Sequence, residues 1–119
     1  MKVPVHDEFG FYYGTRMLYL RFEVTRPDTN DVAQDVSTTA HLMFVSENIR
    51  MCTAEALALL RHAQCRGIQL KEARIGDPVE EFIGDEALFR LTQKAVPTGI
   101  AHEFVDHAAV ESEAASAAR

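Results

Sequence analysis

An α+β fold follows from three observations on the sequence: alternation of apolar and polar residues between positions 15 and 25, an amphipathic helix between positions 53 and 67, and the order of the remaining segments. That order reads strand, strand, helix, strand, helix, then an ambiguous last element. It predicts a small antiparallel sheet, a long N-terminal hairpin plus one or two further strands, with two helices packed on one face. The 119 residues, 47% of them hydrophobic, are enough for one core without metal or disulfide support. The expected division is a single domain over 1–107 and a surface helix or flexible tail over 108–119, since no large apolar residue follows Val110.

Taken in order, the chain opens with an aromatic arm. Phe9, Phe11, Tyr12 and Tyr13 lie around Gly10 and before Gly14, after the charged turn His6, Asp7, Glu8. Four aromatics in five positions serve either as core packing for a small sheet or as a recognition surface of large area and low entropic cost. The first strand is expected from Thr15 to Thr25, where Leu18, Leu20, Phe22 and Val24 alternate with Tyr19, Arg21, Glu23 and Thr25. One face is then covered and the other mostly wet. Pro27 with Asp28, Asn30 and Asp31 marks a loop, and Val36 to Val45 a second strand that pairs with the first.

The helix is the most strongly specified segment. Thr53 suits an N-cap, Ala56, Leu57, Leu60 and Ala63 form the apolar stripe, Arg61, His62 and Arg66 suit the negative end, and Gly67 can take the left-handed conformation that stops it. Ser46 is an alternative cap, with Ile49 and Cys52 extending the stripe toward the N-terminus. Ile68 to Ile75 predicts a third strand whose phase slips, so a bulge or an early end is expected near Lys71. Ile75-Gly76-Asp77 and Ile83-Gly84-Asp85 each pair a Gly with a capping Asp. They predict a short turn of helix opened by Asp77, Pro78 and Glu80, then a helix from about Asp85 to Ala95. After Pro97-Thr98-Gly99, residues 100–105 fit a strand or a helix, with the alternation of Ile100, His102 and Phe104 favouring a strand.

Charge and cysteine usage bound the function. Between Lys71 and Glu113 ten acids face four bases, a difference of six that equals the net charge of −6. This one-sided balance argues against direct contact with nucleic-acid phosphates and fits a protein partner with a basic surface. The absence of an apolar leader or an 18-residue apolar run predicts neither export nor a membrane span, and two unpaired cysteines fit the cytoplasm.

No convergent catalytic set is visible. His102-Glu103-Phe104-Val105-Asp106-His107 approaches the HExxH zinc signature, but its histidines are five apart and diverge on a helix of about 100° per residue. His62 and Cys65 offer two ligands where a structural zinc needs four, and a helix C-terminus does not lower the pKa of Cys65. His41 in the second strand reads as a cross-strand neighbour of a charge. Glu80 with Glu81 and Asp85 with Glu86 are explained by capping and the helix dipole. No phosphate-cradling, nucleophile-elbow or calcium-loop motif occurs. No metal, cofactor or catalytic residue is therefore expected.

The resulting expectation is a small regulator, adaptor or inhibitor that binds another macromolecule, with Asp77, Glu80, Glu81, Asp85, Glu86, Glu103 and Asp106 as its acidic face and Phe9, Phe11, Tyr12 and Tyr13 as an aromatic arm. A sharper form is an inhibitor that occupies the basic groove of a nucleic-acid-handling machine. The alternative is a small enzyme or ligand-binding domain with a pocket between sheet and helices, using His41, His62, Cys65 or His102. A homodimer is the third expectation, through Met17 and Tyr19 with Met43 and Val45 on the strand face presumed wet.

Overall fold

A computed structural model describes residues 6–27 and 35–107. Its elements are β1 (Met17–Pro27), β2 (Asp35–Phe44), α1 (Ile49–His62), β3 (Arg66–Gly76), α2 (Pro78–Phe82), α3 (Glu86–Ala95) and β4 (Ile100–Asp106). The four strands form one antiparallel sheet in the order β3-β1-β2-β4. The expected α+β class with its long hairpin is the architecture observed. Expectations for the turn at Asp28, Asn30 and Asp31 and for residues 108–119 lie outside the described residues.

The alternation in β1 has the predicted effect on one face. Leu18, Leu20, Phe22 and Val24 pair with Phe44, Leu42, Ala40 and Thr38 and pack under Cys52, Ala56 and Leu60 of α1. Burying each such Leu or Phe is worth about 1.5–3 kcal/mol, so this layer is the main core. The opposite face departs from expectation. Met17, Tyr19 and Met43 are buried under Phe82, Leu88, Leu91 and Ala95 of α2 and α3 and against Phe11, which makes a second core. The helices therefore lie on both sides of the sheet, α1 on one and α2 with α3 on the other. The physical reason is the apolar character of Met17, Tyr19 and Met43: an uncovered strip of that size is unfavourable in water, and the stripe on α3 covers it within the same chain.

The helix ends also shift. α1 begins earlier than a Thr53 cap, at Asn48, whose Oδ1 accepts from the Met51 amide at 3.1 Å. Starting there lets Cys52 join Ala56 and Leu60 on the buried stripe, while the Thr53 hydroxyl donates back to the Ile49 carbonyl at 2.6 Å. At the other end the left-handed residue is Gln64, with φ of 65°, rather than Gly67. The Gln64 and Cys65 amides donate to the Arg61 and Leu60 carbonyls at 3.0 and 2.9 Å, a Schellman closure that seats Cys65 in the core. Gly67, with φ of 57°, belongs to an irregularity of β3 instead.

The break expected at Pro27 also shifts: β1 runs on through Arg26 and Pro27, paired with Val36 and Asp35, because the ladder to β3 has already ended at Thr25↔Arg66 and asks no amide of Pro27. Three other local signals hold. The β1–β3 register slips where Arg21 pairs with Glu72 and Phe22 with Leu70, so Lys71 is the extra residue of a bulge. Asp77 accepts from the Val79 and Glu80 amides with Pro78 at the first helical position, and Asp85 accepts from the Leu88 amide at 3.1 Å. Residues 100–106 are a strand, β4, paired with β2 from Phe44↔Ile100 to Thr38↔Asp106. No helix among the described residues is long and apolar enough to cross a membrane.

Candidate functional site

The face of the sheet that carries α3 is only half covered. Toward the Met17 and Met43 end it is apolar and closed. Toward the other end β1 and β2 present Arg21, Glu23, Thr39 and His41, which cannot enter an apolar layer unpaired. At the boundary lies a cavity of about 320 Å³. That is the low end of the range for small-molecule sites.

The floor of this cavity is a single cross-strand row. The register brings Glu72 of β3 beside Arg21 of β1, Arg21 beside His41 of β2, and His41 beside Glu103 of β4. All four line the cavity, with Tyr19 and Arg74 one row nearer the core and Val105 one row further out. The wall is α3: its cap Asp85, and Ala87, Leu88 and Leu91. Side chains from five elements thus meet at one place, although no two of those elements share a local motif.

Tyr19 and His41 form the central contact. The phenol oxygen lies 2.7 Å from His41 Nδ1, and the rings are nearly parallel at a centroid separation of 5.9 Å. Burial raises the Tyr19 hydroxyl to about 12, with the carboxylate of Glu72 pushing the same way, so the phenol keeps its proton. Burial also lowers the pKa of His41, against the upward pull of Glu103, so the imidazole is favoured neutral. With no other acceptor among its described partners, the phenol donates to Nδ1. The remaining ring proton then sits on Nε2, a donor on a residue that lines the cavity.

The charged lining is held by ion pairs. Arg21 donates through Nε to Glu72 at 3.2 Å and through Nη1 to Glu23 at 3.4 Å. Arg74 donates through Nε to the Glu81 carboxylate at 2.9 Å and through Nη2 to the Glu81 carbonyl at 2.8 Å. Both guanidiniums are therefore already engaged within the chain. Glu103 makes no hydrogen bond or ion pair to another described side chain, and it is exposed on β4 at the sheet edge.

The acidic face expected from the sequence is distributed among these tasks rather than gathered. Asp77 and Asp85 cap helices, Glu81 binds Arg74, and Glu86 pairs with Arg90 at 3.2 Å. Asp106 accepts from the Thr38 hydroxyl at 2.7 Å and from Arg26 at 3.0 Å, and these bonds, the Thr38 one foremost, hold its carboxyl below the usual carboxylate value. Glu80 is simply exposed, and Glu103 and Asp85 line the cavity.

The aromatic arm divides between its two expected roles. The Asp7 carboxylate accepts from the Phe9 and Phe11 amides, which folds the arm back around Gly10 at φ of 89°. Phe9 and Phe11 then meet Phe89 of α3 edge-on at 5.3 and 5.9 Å, while Tyr12 and Tyr13 remain 60% and 65% exposed. The strip expected to mediate self-association is corrected outright for Met17, Tyr19 and Met43. They are buried under α2 and α3 and offer no surface to a second copy, and only Val45 is exposed.

The histidine and cysteine set of the alternative reading does not converge. His41 enters the cavity, but Cys65 lies in the core on the α1 side, and His62 and His102 are exposed outside the cavity lining. No group of three or more potential metal ligands occurs among the described residues. Sequence reasoning missed Arg21, Glu72 and Arg74 as members of a site. Their signal was present as opposite charges at alternate strand positions, but alternation alone does not say which strands are neighbours.

Comparison with known proteins adds no relationship: no protein-family model, curated protein or solved structure matches the chain.

Proposed function

We propose that this chain is a small ligand-binding domain whose site is the cavity between α3 and the row Glu72, Arg21, His41 and Glu103. The observation that carries the reading is the convergence itself. Five elements place an imidazole with a fixed tautomer, a phenol, two guanidiniums and three carboxylates around a cavity with an apolar wall. Polar groups fixed over a partly apolar cavity are the usual composition of a small-molecule site. The test is an NMR screen of a small fragment set against labelled protein. Shifts that cluster on Tyr19, His41, Leu88 and Glu103 and vanish in Ala87→Trp, which fills the mouth from exposed positions of α3, support the reading. Hits that scatter, or that persist unchanged in the filled variant, refute it.

A second reading is favoured by a separate observation, the exposure of Tyr12 and Tyr13 on an arm docked against α3. Together with a net charge of −6, it describes an interaction module for a protein with a basic surface. Two free thiols fit such a role in the cytoplasm. This reading requires partner capture that weakens with salt and is lost in a Tyr12→Ala, Tyr13→Ala variant. Capture indifferent to both would refute it.

A further inference from the structure

The charge lining the cavity and the engagement of its two arginines limit what can bind there. Three carboxylates, Glu72, Asp85 and Glu103, line it against two guanidiniums, Arg21 and Arg74. Each guanidinium already donates to acids of the chain, Arg21 to Glu72 and Glu23 and Arg74 to Glu81. An incoming anion would share those guanidiniums with carboxylates already bound to them and would meet a net negative lining. A cation meets the opposite situation. Glu103 has no partner among the described side chains, and its cross-strand neighbour His41 is a neutral donor rather than a counter-charge. The apolar wall sets the rest of the ligand: Ala87, Leu88 and Leu91 of α3 and Val105 of β4 suit an aliphatic stem.

We infer that the cavity binds a small organic cation, an alkylammonium whose charged head meets Glu103 and whose aliphatic stem lies against Leu88, Leu91 and Val105. The ammonium supplies donors only, matching Glu103 and the carboxylate edge of Asp85. The stem gains about 0.8 kcal/mol per methylene removed from water, so a stem of a few carbons contributes as much as the charge contact. The overall negative charge of the chain favours the approach of such a ligand at low salt. This inference rests on the cavity being a ligand site, and the probes are chosen to separate the two ideas.

The experiment titrates labelled full-length protein with butylammonium, butyrate and butanol at equal concentration, following amide shifts at Tyr19, His41, Leu88 and Glu103. Butylammonium is expected to bind at these residues at least about tenfold more tightly than butyrate or butanol. Glu103→Gln, at an exposed edge position where folding is not at stake, is expected to weaken it about two- to fivefold. Glu80→Gln, which removes an exposed acid outside the cavity lining, is expected to leave butylammonium binding unchanged, and a loss as large as that of Glu103→Gln overturns the inference. Equal or tighter binding of butyrate or butanol at the same residues overturns the cation inference while sustaining the ligand site. Butylammonium binding that Glu103→Gln does not weaken also overturns it. No shift with any of the three overturns the inference. If the fragment set also leaves the cavity untouched, the ligand-site reading falls with it.

Discussion

Replacing Tyr19 with Phe removes one oxygen from the boundary between the second core and the candidate site. The ring stays, still edge-on to Phe82 at a centroid distance of 6.3 Å, so no cavity is created. What is lost is the 2.7 Å bond to His41 Nδ1. A net hydrogen bond is worth about 1 kcal/mol, and leaving the half-buried Nδ1 unpaired adds a fraction of its desolvation cost. The expected loss at pH 7 is therefore about 1–2 kcal/mol, read as a lowered midpoint in urea with an unchanged slope. The size of the gap must also change with pH, and in a known direction. The Tyr19 pKa is raised to about 12 in the folded chain from 10.0. A raised pKa gives stability that is complete below pH 10 and lost as pH climbs toward 12, at up to about 1.4 kcal/mol per unit. Phe has no proton to lose, so the variant escapes that decline. The two proteins should converge near pH 11, every other alkaline titration being common to both. A gap constant from pH 7 to 11 would refute the buried phenol, and no gap at pH 7 would refute the contribution of its bond.

Gln64→Gly should stabilise the chain by about 0.5–1 kcal/mol in urea denaturation, because Gln64 holds a φ of 65° that costs a non-glycine residue about 1–2 kcal/mol and the extra freedom of Gly in the unfolded chain returns part of it. On the acid side, the lowered His41 pKa means stability falls as pH drops below about 6.5, the unfolded value, since the unfolded chain takes up the proton first. His41→Gln should flatten the dependence of the urea midpoint between pH 6.5 and 5, and the lowered Asp106 carboxyl, which titrates below 3.8, leaves that window undisturbed. Cys52 and Cys65 are both buried with pKa values raised by that burial, so a maleimide or iodoacetamide at pH 7 should label them only after denaturant is added. Rapid labelling of Cys65 in native protein would contradict its place under the Schellman turn.

The elements that could be read from the sequence are those whose signals are local. Asp77-Pro78 and Asp85 cap where expected because a capping side chain reaches only two or three residues along its own chain. The Lys71 bulge was visible because the apolar phase on either side of it disagrees within one strand. The start of α1 is open in the sequence, between Thr53 and an earlier cap near Ser46, for a related reason. Thr53 and Asn48 are both competent caps, and the choice between them is made by whether Cys52 gains a place in the core, a tertiary contact. The second core is not legible in β1 alone, because alternation divides a strand into two faces without saying what covers the second. Tyr19 and Met17 fall on the face presumed wet, and their burial depends on α3, which arrives some seventy residues later in the chain.

The candidate site combines both difficulties. The sequence makes His41 a cross-strand neighbour of a charge without saying which, and the fold supplies two, Arg21 on one side and Glu103 on the other. Glu103 is not next to His41 because of anything near either residue. It is there because β4 adds to β2, while β3 crosses to the far side of β1. The row Glu72-Arg21-His41-Glu103 is thus a product of strand order, and a β4 shifted by one residue would turn Glu103 to the α1 face. What keeps that register is the pair of anchors at its ends: Phe44 against Ile100 beside the main core, and Asp106 held by Thr38 and Arg26. The acid that the sequence offered as part of a binding face instead has a structural task, holding in register the strand that carries Glu103 to the cavity. Asp106→Asn should therefore loosen β4 and broaden the Glu103 and His41 amide signals together, whereas the same change at the exposed Glu80 should leave both sharp. Were Asp106 only a solvated charge, the two substitutions would be indistinguishable in that spectrum.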